Sequence, residues 1–491
     1  MKRLRVLLAA SEAWPLIKTG GLADVVGALP GALRGLGIDA RLVLPAYPAA
    51  RAALVNAEPV AHSALYGADM ILLRGDLPAG QRRRLPVYLI ATDAFDRPGN
   101  PYHDTDNVDW PDNPARFALF CRAAAALALG HLEPDWSADV VHAHDWQAGL
   151  LPAFLSLHSR RPRTVFTIHN LAYQGLVDGN AAAGLGLPAA WWRMDALEFF
   201  GQLALIKGGL AFADRLTTVS PRYAQEIQTP AFGCGLDGLL RHRAADLTGI
   251  LNGIDTEQWN PATDPALPYP YDADHLDAKA ADKAALQLEL GLAVDPQALL
   301  VGLVSRLVQQ KGIDLLIEAL PQLPTGVQLA VLGSGDRTIV AALRSAADAQ
   351  PRRIAFVTGY DEPLAHRVQA GADAFLVPSR FEPCGLTQLY ALRYGTVPIV
   401  SAVGGLFDTV TDATPANLAD GSATGVVFEP ESSAALLAAI VRARTLHQDE
   451  TPWRQLQRAG MAKDHSWAAS AQAYVALYQD LLARPGARPH N

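Results

Sequence analysis

The stretch Leu299-Leu-Val-Gly-Leu-Val-Ser-Arg-Leu-Val-Gln-Gln-Lys-Gly312, followed by Ile313-Asp-Leu-Leu-Ile-Glu-Ala-Leu320 and then by Gln328-Leu-Ala-Val-Leu332, decides the fold. Leu299–Val304 is a short apolar run without polar alternation, which reads as a strand buried on both faces. Lys311-Gly312 precedes apolar residues at helical spacing, and Gln328–Leu332 is a second short apolar strand. Strand, helix and strand at this spacing make a βαβ unit with parallel strands.

The same alternation runs outward in both directions. Strands are expected near Arg5–Ala9, Ala40–Leu44, Val87–Ile90, Val140–His144, Thr164–Ile168, Arg215–Val219 and Leu247–Leu251. Beyond the opening stretch they recur near Ile354–Val357, Ala374–Val377, Val397–Val400 and Gly425–Phe428. Helices follow many of them, such as Leu22–Leu36, stopped by Gly37. Asn260–Ala281, with its prolines and aspartates and no periodicity, reads as an exposed connector between two doubly wound α/β units. A last helix is expected over Ala468–Leu482, ahead of a Pro/Arg-rich tail.

Bulk properties narrow the partners. Of 491 residues, 50% are hydrophobic and 18% charged, which excludes a disordered chain and leaves room for large cores. The net charge of −8, with no basic block, argues against nucleic acid. Cys121, Cys234 and Cys384 are scattered and odd in number, which fits a reducing compartment rather than a disulfide framework or zinc site. The apolar run Val6–Ala10 is shorter than a signal-peptide core, and no segment reaches the length of a membrane span, so a cytoplasmic location is expected.

Open α/β sheets bind ligands beyond the carboxyl ends of their strands. Polar clusters stand at that position repeatedly: Ser11–Gly21, Asp145-Trp146, His169-Asn170, Asn252-Gly253, Ser305-Arg306, Gly333-Ser-Gly-Asp336 and Pro378–Gly385. Two such edges facing one another would form one interdomain cleft.

Lys18-Thr-Gly-Gly21 reads either as a glycine loop that lets backbone and lysine approach an anion, or as a tight turn with a solvent lysine. Arg306 and Lys311, at a strand end and a helix start, suit a diphosphate better than the alternative of a surface arginine and a solvent lysine, since a lysine there is unfavourable beside the helix dipole unless something compensates it. In Ser379-Arg-Phe-Glu-Pro-Cys-Gly-Leu-Thr-Gln388 a turn holds Glu382, and the N–H groups of Gly385, Leu386 and Thr387 open the next helix, in reach of a phosphate. Ser379 belongs with these substrate-binding residues, while Cys384 reads as a bystander. His142 and His144 on one strand, and Asp104-Thr-Asp106 in a polar loop, are the candidates for a metal. The histidines read more readily as locally hydrogen-bonded, and no metal is expected.

Taken in order, Lys18-Thr-Gly-Gly-Leu-Ala-Asp24, His142-Ala-His-Asp-Trp146, Phe166-Thr-Ile-His-Asn-Leu-Ala-Tyr-Gln-Gly175, Leu251-Asn-Gly-Ile-Asp255, Ser305–Gly312 and Pro378–Gln388 resemble the bacterial glycogen synthase and plant starch synthase family over almost the whole chain. The resemblance implies a GT-B fold, two Rossmann-like domains facing a deep cleft. The first domain, 1–247, would be completed by a returning helix over 464–484, and the second, 248–463, would bind the nucleotide sugar. It implies ADP-glucose as donor, the non-reducing end of an α-1,4-glucan such as glycogen as acceptor, retention at the anomeric carbon, and no cofactor. Arg306 and Lys311 would hold the diphosphate, with Lys18 and Gly21 closing on it. Glu382 would meet the glucosyl hydroxyls, with His169 beside the sugar. Asp145, Asn252 and Tyr102 would line the glucose and acceptor region, and Tyr360 would pack the adenine. One departure stands out: Ser401-Ala-Val-Gly-Gly-Leu406 replaces the family's Arg-x-Thr-Gly-Gly-Leu, which bears on donor affinity. The competing readings are a UDP-sugar transferase of the same fold with a small acceptor, a glucan phosphorylase whose cofactor-lysine motif is not found, and a non-catalytic glucan-binding scaffold.

Overall fold

The computed structural model describes residues 3–65, 67–77, 84–104, 106, 108–429 and 432–484. The chain forms two compact α/β units. The first comprises Met1–Val219, Ala224–Gly253 and Trp467–Asn491, the second Ser220–Tyr223 and Ile254–Ser466.

In the first unit the strands run β1 Arg5–Ala9, β2 Asp39–Pro45, β3 Val55–Leu65, β4 Ala68–Asp76, β5 Pro86–Ala91, β6 Val140–His144, β7 Arg163–Ile168, β8 Leu176–Asp178, β9 Glu198–Phe199, β10 Gln202–Ala204, β11 Arg215–Thr218 and β12 Leu247–Gly249. Among the described residues, nine of them form one sheet in the order β12-β11-β7-β6-β1-β2-β5-β4-β3. It is parallel from β12 to β5, as runs buried on both faces require. The antiparallel β3–β4 ribbon at its edge, and the small sheet β8-β10-β9, lie outside the sequence expectation. The β3–β4 ribbon carries Pro59 and register shifts that blur its period.

The helix Gly21–Gly35 buries Leu22, Val25, Val26, Leu29 and Leu33 on one face. Helix Trp467–Ala483 packs against it and belongs to this unit. Its Tyr474 and Tyr478 are fully buried.

The second unit holds β13 Leu299–Leu307, β14 Val327–Gly335, β15 Ile354–Thr358, β16 Ala374–Val377, β17 Val397–Ser401 and β18 Val426–Phe428, all parallel, in the order β15-β14-β13-β16-β17-β18. β13 runs to Leu307, three residues past its expected end, so Arg306 is part of the strand.

Asn260–Ala281 corrects the expectation of an exposed connector. Trp259 is stacked between His366 and Tyr390, with centroids 3.8 and 3.7 Å away. Leu267, Tyr271 and Leu276 are buried with Tyr394 in the same cluster, and the segment runs into helix Lys279–Glu289. Asp264, 3% exposed, accepts hydrogen bonds from His366 (2.7 Å) and Tyr394 (2.5 Å). Its anchors are isolated residues whose partners lie a hundred or more positions away, so no local period betrays the packing.

Candidate functional site

Both sheets reverse their strand order about a central strand, and the crevice at such a switch point is where open α/β sheets bind ligands. In the second unit the reversal lies between β13 and β16. The loops leaving those strands carry Lys311 and Glu382.

These loops are fastened to one another. The Arg380 N–H donates to Gln310 O (2.9 Å), Gln310 Nε2 to Phe381 O (3.2 Å), and the Arg380 guanidinium grips Asp314 through two 2.7 Å bonds. Gly312, at φ +65°, must be glycine twice over, because a Cβ there would sit 2.0 Å from Pro378 O. Gly405 at the exit of β17 has the same role, since its Cβ would meet Cys384 O at 2.1 Å and its N–H donates to Glu382 O (3.0 Å). Gly405 of the departing motif is thus required by packing against the Glu382 turn.

Lys311 Nζ lies 2.5 Å from Glu382 Oε2, and Ser379 Oγ donates to the same oxygen at 2.8 Å. Glu382 is 7% exposed and Ser379 1%. The cation that the helix dipole would disfavour is therefore compensated by a nearly buried carboxylate. Arg306 is exposed beside Ser334, its register partner on β14. Gly385, at φ +72°, Leu386 and Thr387 lead into helix Thr387–Arg393. Cys384 is buried, with its carbonyl accepting from Gln388 Nε2 at 3.0 Å. Tyr360, beyond β15, is 63% exposed and its hydroxyl donates to Glu362. Ser401 is fully buried, and its Oγ meets no hydrogen-bond partner among the described residues. Val403 packs with Val377, Leu406 and Val410, so the position of the family's threonine is part of the apolar core here.

In the first unit β1 is the point of reversal, flanked by β2 and β6. The loop after β1 closes around Glu12, which is 3% exposed. Thr19 N–H and Gly20 N–H both donate to Glu12 Oε2, the latter at 3.3 Å, and Thr19 Oγ1 donates to Oε1 at 2.6 Å. The Tyr102 hydroxyl also donates to Glu12 and lies 2.6 Å from Ser11 Oγ. Burial, with Glu12 beside it, holds the Tyr102 phenol well above its ordinary value, so it stays a donor. Lys18 pairs with Asp24 at 2.8 Å, and Gly21 opens the following helix. Two N–H groups of the glycine loop thus already hold an internal carboxylate. Glu12 was not singled out by sequence; its only signal was its place within the polar run after β1.

At the exit of β6, Asp145 adopts φ 57°, ψ −179°, a backbone conformation natural only to glycine, which costs of order 1–3 kcal/mol and marks functional sites. Its Oδ1 accepts the His169 N–H at 2.7 Å. Burial raises its carboxyl to about 7. His169 Nε2 lies 2.9 Å from His144 Nδ1, and burial lowers His169 to about 3, so the imidazole is neutral. Asn252, beyond β12, is 6% exposed and its Oδ1 has no hydrogen-bond partner among the described residues. Asp104, by contrast, accepts from the N–H groups of Asp106 and Val108 and stabilises its own loop.

Comparison with known proteins agrees with this architecture. Residues 5–242 match the family described as starch synthase catalytic domain, and residues 292–458 match glycosyl transferases group 1. The chain is 54% identical to glycogen synthase 1 of Methylococcus capsulatus over 98% of its own length and 97% of that protein's. It is 52% identical to a glycogen synthase of Rhodopseudomonas palustris over 98% of both chains. Among solved structures it resembles the catalytic domain of starch synthase IV from Arabidopsis thaliana bound to ADP and acarbose, with a TM-score of 0.88 and 33% identity over 98% of this chain and 100% of that one. No helix among the described residues is long and apolar enough to cross a membrane.

Proposed function

The chain belongs to the family of bacterial glycogen synthases and plant starch synthases, GT-B glycosyltransferases that lengthen glucans, and we propose that it transfers glucose from ADP-glucose to the non-reducing end of an α-1,4-glucan with retention of configuration. The observation that carries the reading is the Lys311–Glu382–Ser379 cluster at the switch point of the second unit. It offers a cation for a phosphate and a rigid, nearly buried carboxylate for sugar hydroxyls. The ADP bound in the Arabidopsis relative supports an adenine nucleotide as donor.

In this reading Arg306 and Lys311 neutralise the diphosphate, the N–H groups of Gly385, Leu386 and Thr387 support it, and Tyr360 packs the base. Lys18 and Gly21, at the start of the first helix, are assigned to phosphate binding as well. Glu382, positioned by Ser379, binds the glucosyl hydroxyls. In the first unit Asp145, His169, Asn252 and Tyr102 attend the glucose and acceptor. We assign the first unit to the acceptor and the second to the nucleotide sugar. The three cysteines, Cys121, Cys234 and Cys384, are all free, which supports a cytoplasmic setting.

The chemistry needs no protein nucleophile. The bond between glucose C1 and the β-phosphate oxygen breaks, its electron pair leaving with ADP. The acceptor 4-hydroxyl forms the new C1–O bond on the same face, and its proton passes to the departing phosphate oxygen. Catalysis is then positioning plus charge stabilisation of an oxocarbenium-like state.

The test is a donor-specificity assay with glycogen, comparing ADP-glucose with UDP-glucose, with and without chelator, and with the product's anomeric configuration read by NMR. Turnover with ADP-glucose, unaffected by chelator and giving α-linked product, is expected. Preference for UDP-glucose, or transfer to small sugars alone, would overturn the assignment.

A further inference from the structure

Beside His169 the first unit holds two further histidine rings that the transfer chemistry above does not use. His142 and His144 alternate on β6 with ring centroids 4.2 Å apart, and the His169 ring lies 5.2 Å from that of His144. His142 and His144 are fully buried, and His169 nearly so. His142 is held at both nitrogens. Its Nδ1 lies 2.8 Å from the Tyr478 hydroxyl of the last helix, and its Nε2 lies 2.5 Å from Thr167 Oγ1, which in turn meets Thr217 Oγ1 at 2.5 Å. His144, resting on that anchored ring, is held at one nitrogen only. Its Nδ1 is 2.9 Å from His169 Nε2, while its own Nε2, shut away from solvent, meets no hydrogen-bond partner among the described residues.

Counting protons decides what this contact does. Burial lowers His142 and His169 to about 3 and His144 well below its ordinary value, so each ring is neutral and carries one N–H. A single proton lies between His144 and His169. If His169 donated it from Nε2, the N–H of His144 would have to sit on its Nε2, a buried donor without an acceptor. A buried N–H without an acceptor loses its hydration with nothing in return, and among main-chain groups such orphans are rarer than under-satisfied acceptors. If His144 donates from Nδ1, its Nε2 is a bare ring nitrogen and the proton of His169 resides on Nδ1.

We infer that His144 is a positioning residue that donates its Nδ1–H to His169 Nε2 and thereby holds His169 as the Nδ1–H tautomer, a hydrogen-bond donor toward the sugar. This rests on the reading of His169 as the group beside the glucosyl residue. It has a chemical consequence. The basic lone pair of His169 is occupied by His144, so it does not compete with the departing phosphate for the proton of the acceptor hydroxyl. Glucose meets an N–H, and the imidazole is prevented from acting as a base.

The test uses the full-length chain labelled with 15N-histidine, together with His144→Leu and His144→Asn. The wild type is expected to show His169 with a protonated Nδ1 and a bare Nε2. His144→Leu removes the donor, so His169 should show mixed tautomers and kcat should fall on the order of 10- to 100-fold, with a much smaller change in KM for the donor. Asn carries an amide nitrogen where His carries Nδ1, so His144→Asn should restore the Nδ1–H tautomer and most of kcat. The proposal is overturned by a wild-type His169 protonated at Nε2, by a Leu variant with wild-type kcat, or by an Asn variant as slow as the Leu variant. His169→Ala with unchanged kcat would overturn it through His169 itself, and would count against the sugar-facing reading while leaving the ADP-glucose assay intact.

Discussion

Replacing Asp145 by Asn isolates the electrostatic cost of burying a carboxyl at the exit of β6. The residue is 8% exposed, and burial raises its carboxyl from the ordinary 3.8 to about 7, against the opposing hydrogen bonds from the His169 and Asn170 main chain and with Glu12 adding to the rise. A carboxyl whose folded value is raised keeps its proton in the folded state where the unfolded chain has already lost it. Stability therefore falls as pH rises from about 4 toward 7 and levels off above. At 1.36 kcal/mol per pH unit, the full shift corresponds to about 4 kcal/mol, of which about 2–3 kcal/mol develops between about pH 5 and pH 8. Asn keeps an oxygen to accept the His169 N–H and keeps the φ 57° backbone, so both costs cancel in the comparison. The assay is urea unfolding of both proteins at the two pH values, followed by hydrogen exchange of β6 and β7 amides so that the first unit is read by itself. Relative to wild type, Asp145→Asn is expected to gain about 2–3 kcal/mol between the two pH values, since every other titrating group is common to both chains. Parallel pH dependences would mean that Asp145 ionises as an ordinary aspartate, and the burial argument would fail.

Three further outcomes follow from the other clusters. Glu382→Gln retains an oxygen for Ser379 and for Lys311 but removes the charge; kcat for glucan extension should drop on the order of 100-fold or more while urea stability changes by only about 1 kcal/mol. Loss of stability with intact turnover would make Glu382 structural. Lys311→Ala strands the Glu382 carboxylate, whose side chain is 9% exposed, so both measures should suffer, kcat/KM severely and stability by about 3 kcal/mol. Near-normal kcat/KM would remove Lys311 from the diphosphate site. His366 is desolvated, but its hydrogen bond to Asp264 and its ion pair with Glu362, 3.9 Å away, outweigh this and raise it to about 9, with the Tyr394 hydroxyl also facing it. Its contribution is fully present below about pH 6.5 and is lost as pH rises through about 9. Hydrogen-exchange protection factors around Trp259, taken relative to the base-catalysed intrinsic rate, should fall over that interval in wild type but not in His366→Gln.

The parallel sheets were legible because runs buried on both faces carry their own signature and because Gly and polar residues mark each strand exit. The switch-point site was legible for the same reason: Lys311, Ser379 and Glu382 each follow a strand, and the parallel order brings their loops together. The polarity of Arg306 reads as a strand ending, whereas backbone pairing with Ser334 and Gly335 carries β13 on to Leu307. Glu12 was hidden because its meaning depends on Tyr102, ninety positions later. Trp259 and Asp264 were hidden likewise, their partners His366 and Tyr394 lying in another part of the second unit. Pattern reports which face of an element is buried, not which distant side chain completes a pair.

That limit bears on the chemistry as well as the packing. By sequence, Lys18 reads either as a cation approaching an anion or as a solvent lysine on a tight turn, and Lys311 as a cation for a diphosphate. In the structure Lys18 is 2.8 Å from Asp24, and Lys311 is 2.5 Å from Glu382. Under the proposed assignment a diphosphate at Lys311 would compete for a charge that already has a partner, and Lys311 would link donor and sugar sites because that partner is the carboxylate assigned to the glucose. If the diphosphate draws Lys311 toward itself, as that assignment requires, Glu382 would gain the freedom to accept hydroxyl hydrogen bonds while Ser379, at 2.8 Å, continues to hold its orientation. Phosphate binding and sugar binding would then be coupled through one shared oxygen, Glu382 Oε2, and a cation without a partner at position 311 would not provide that coupling.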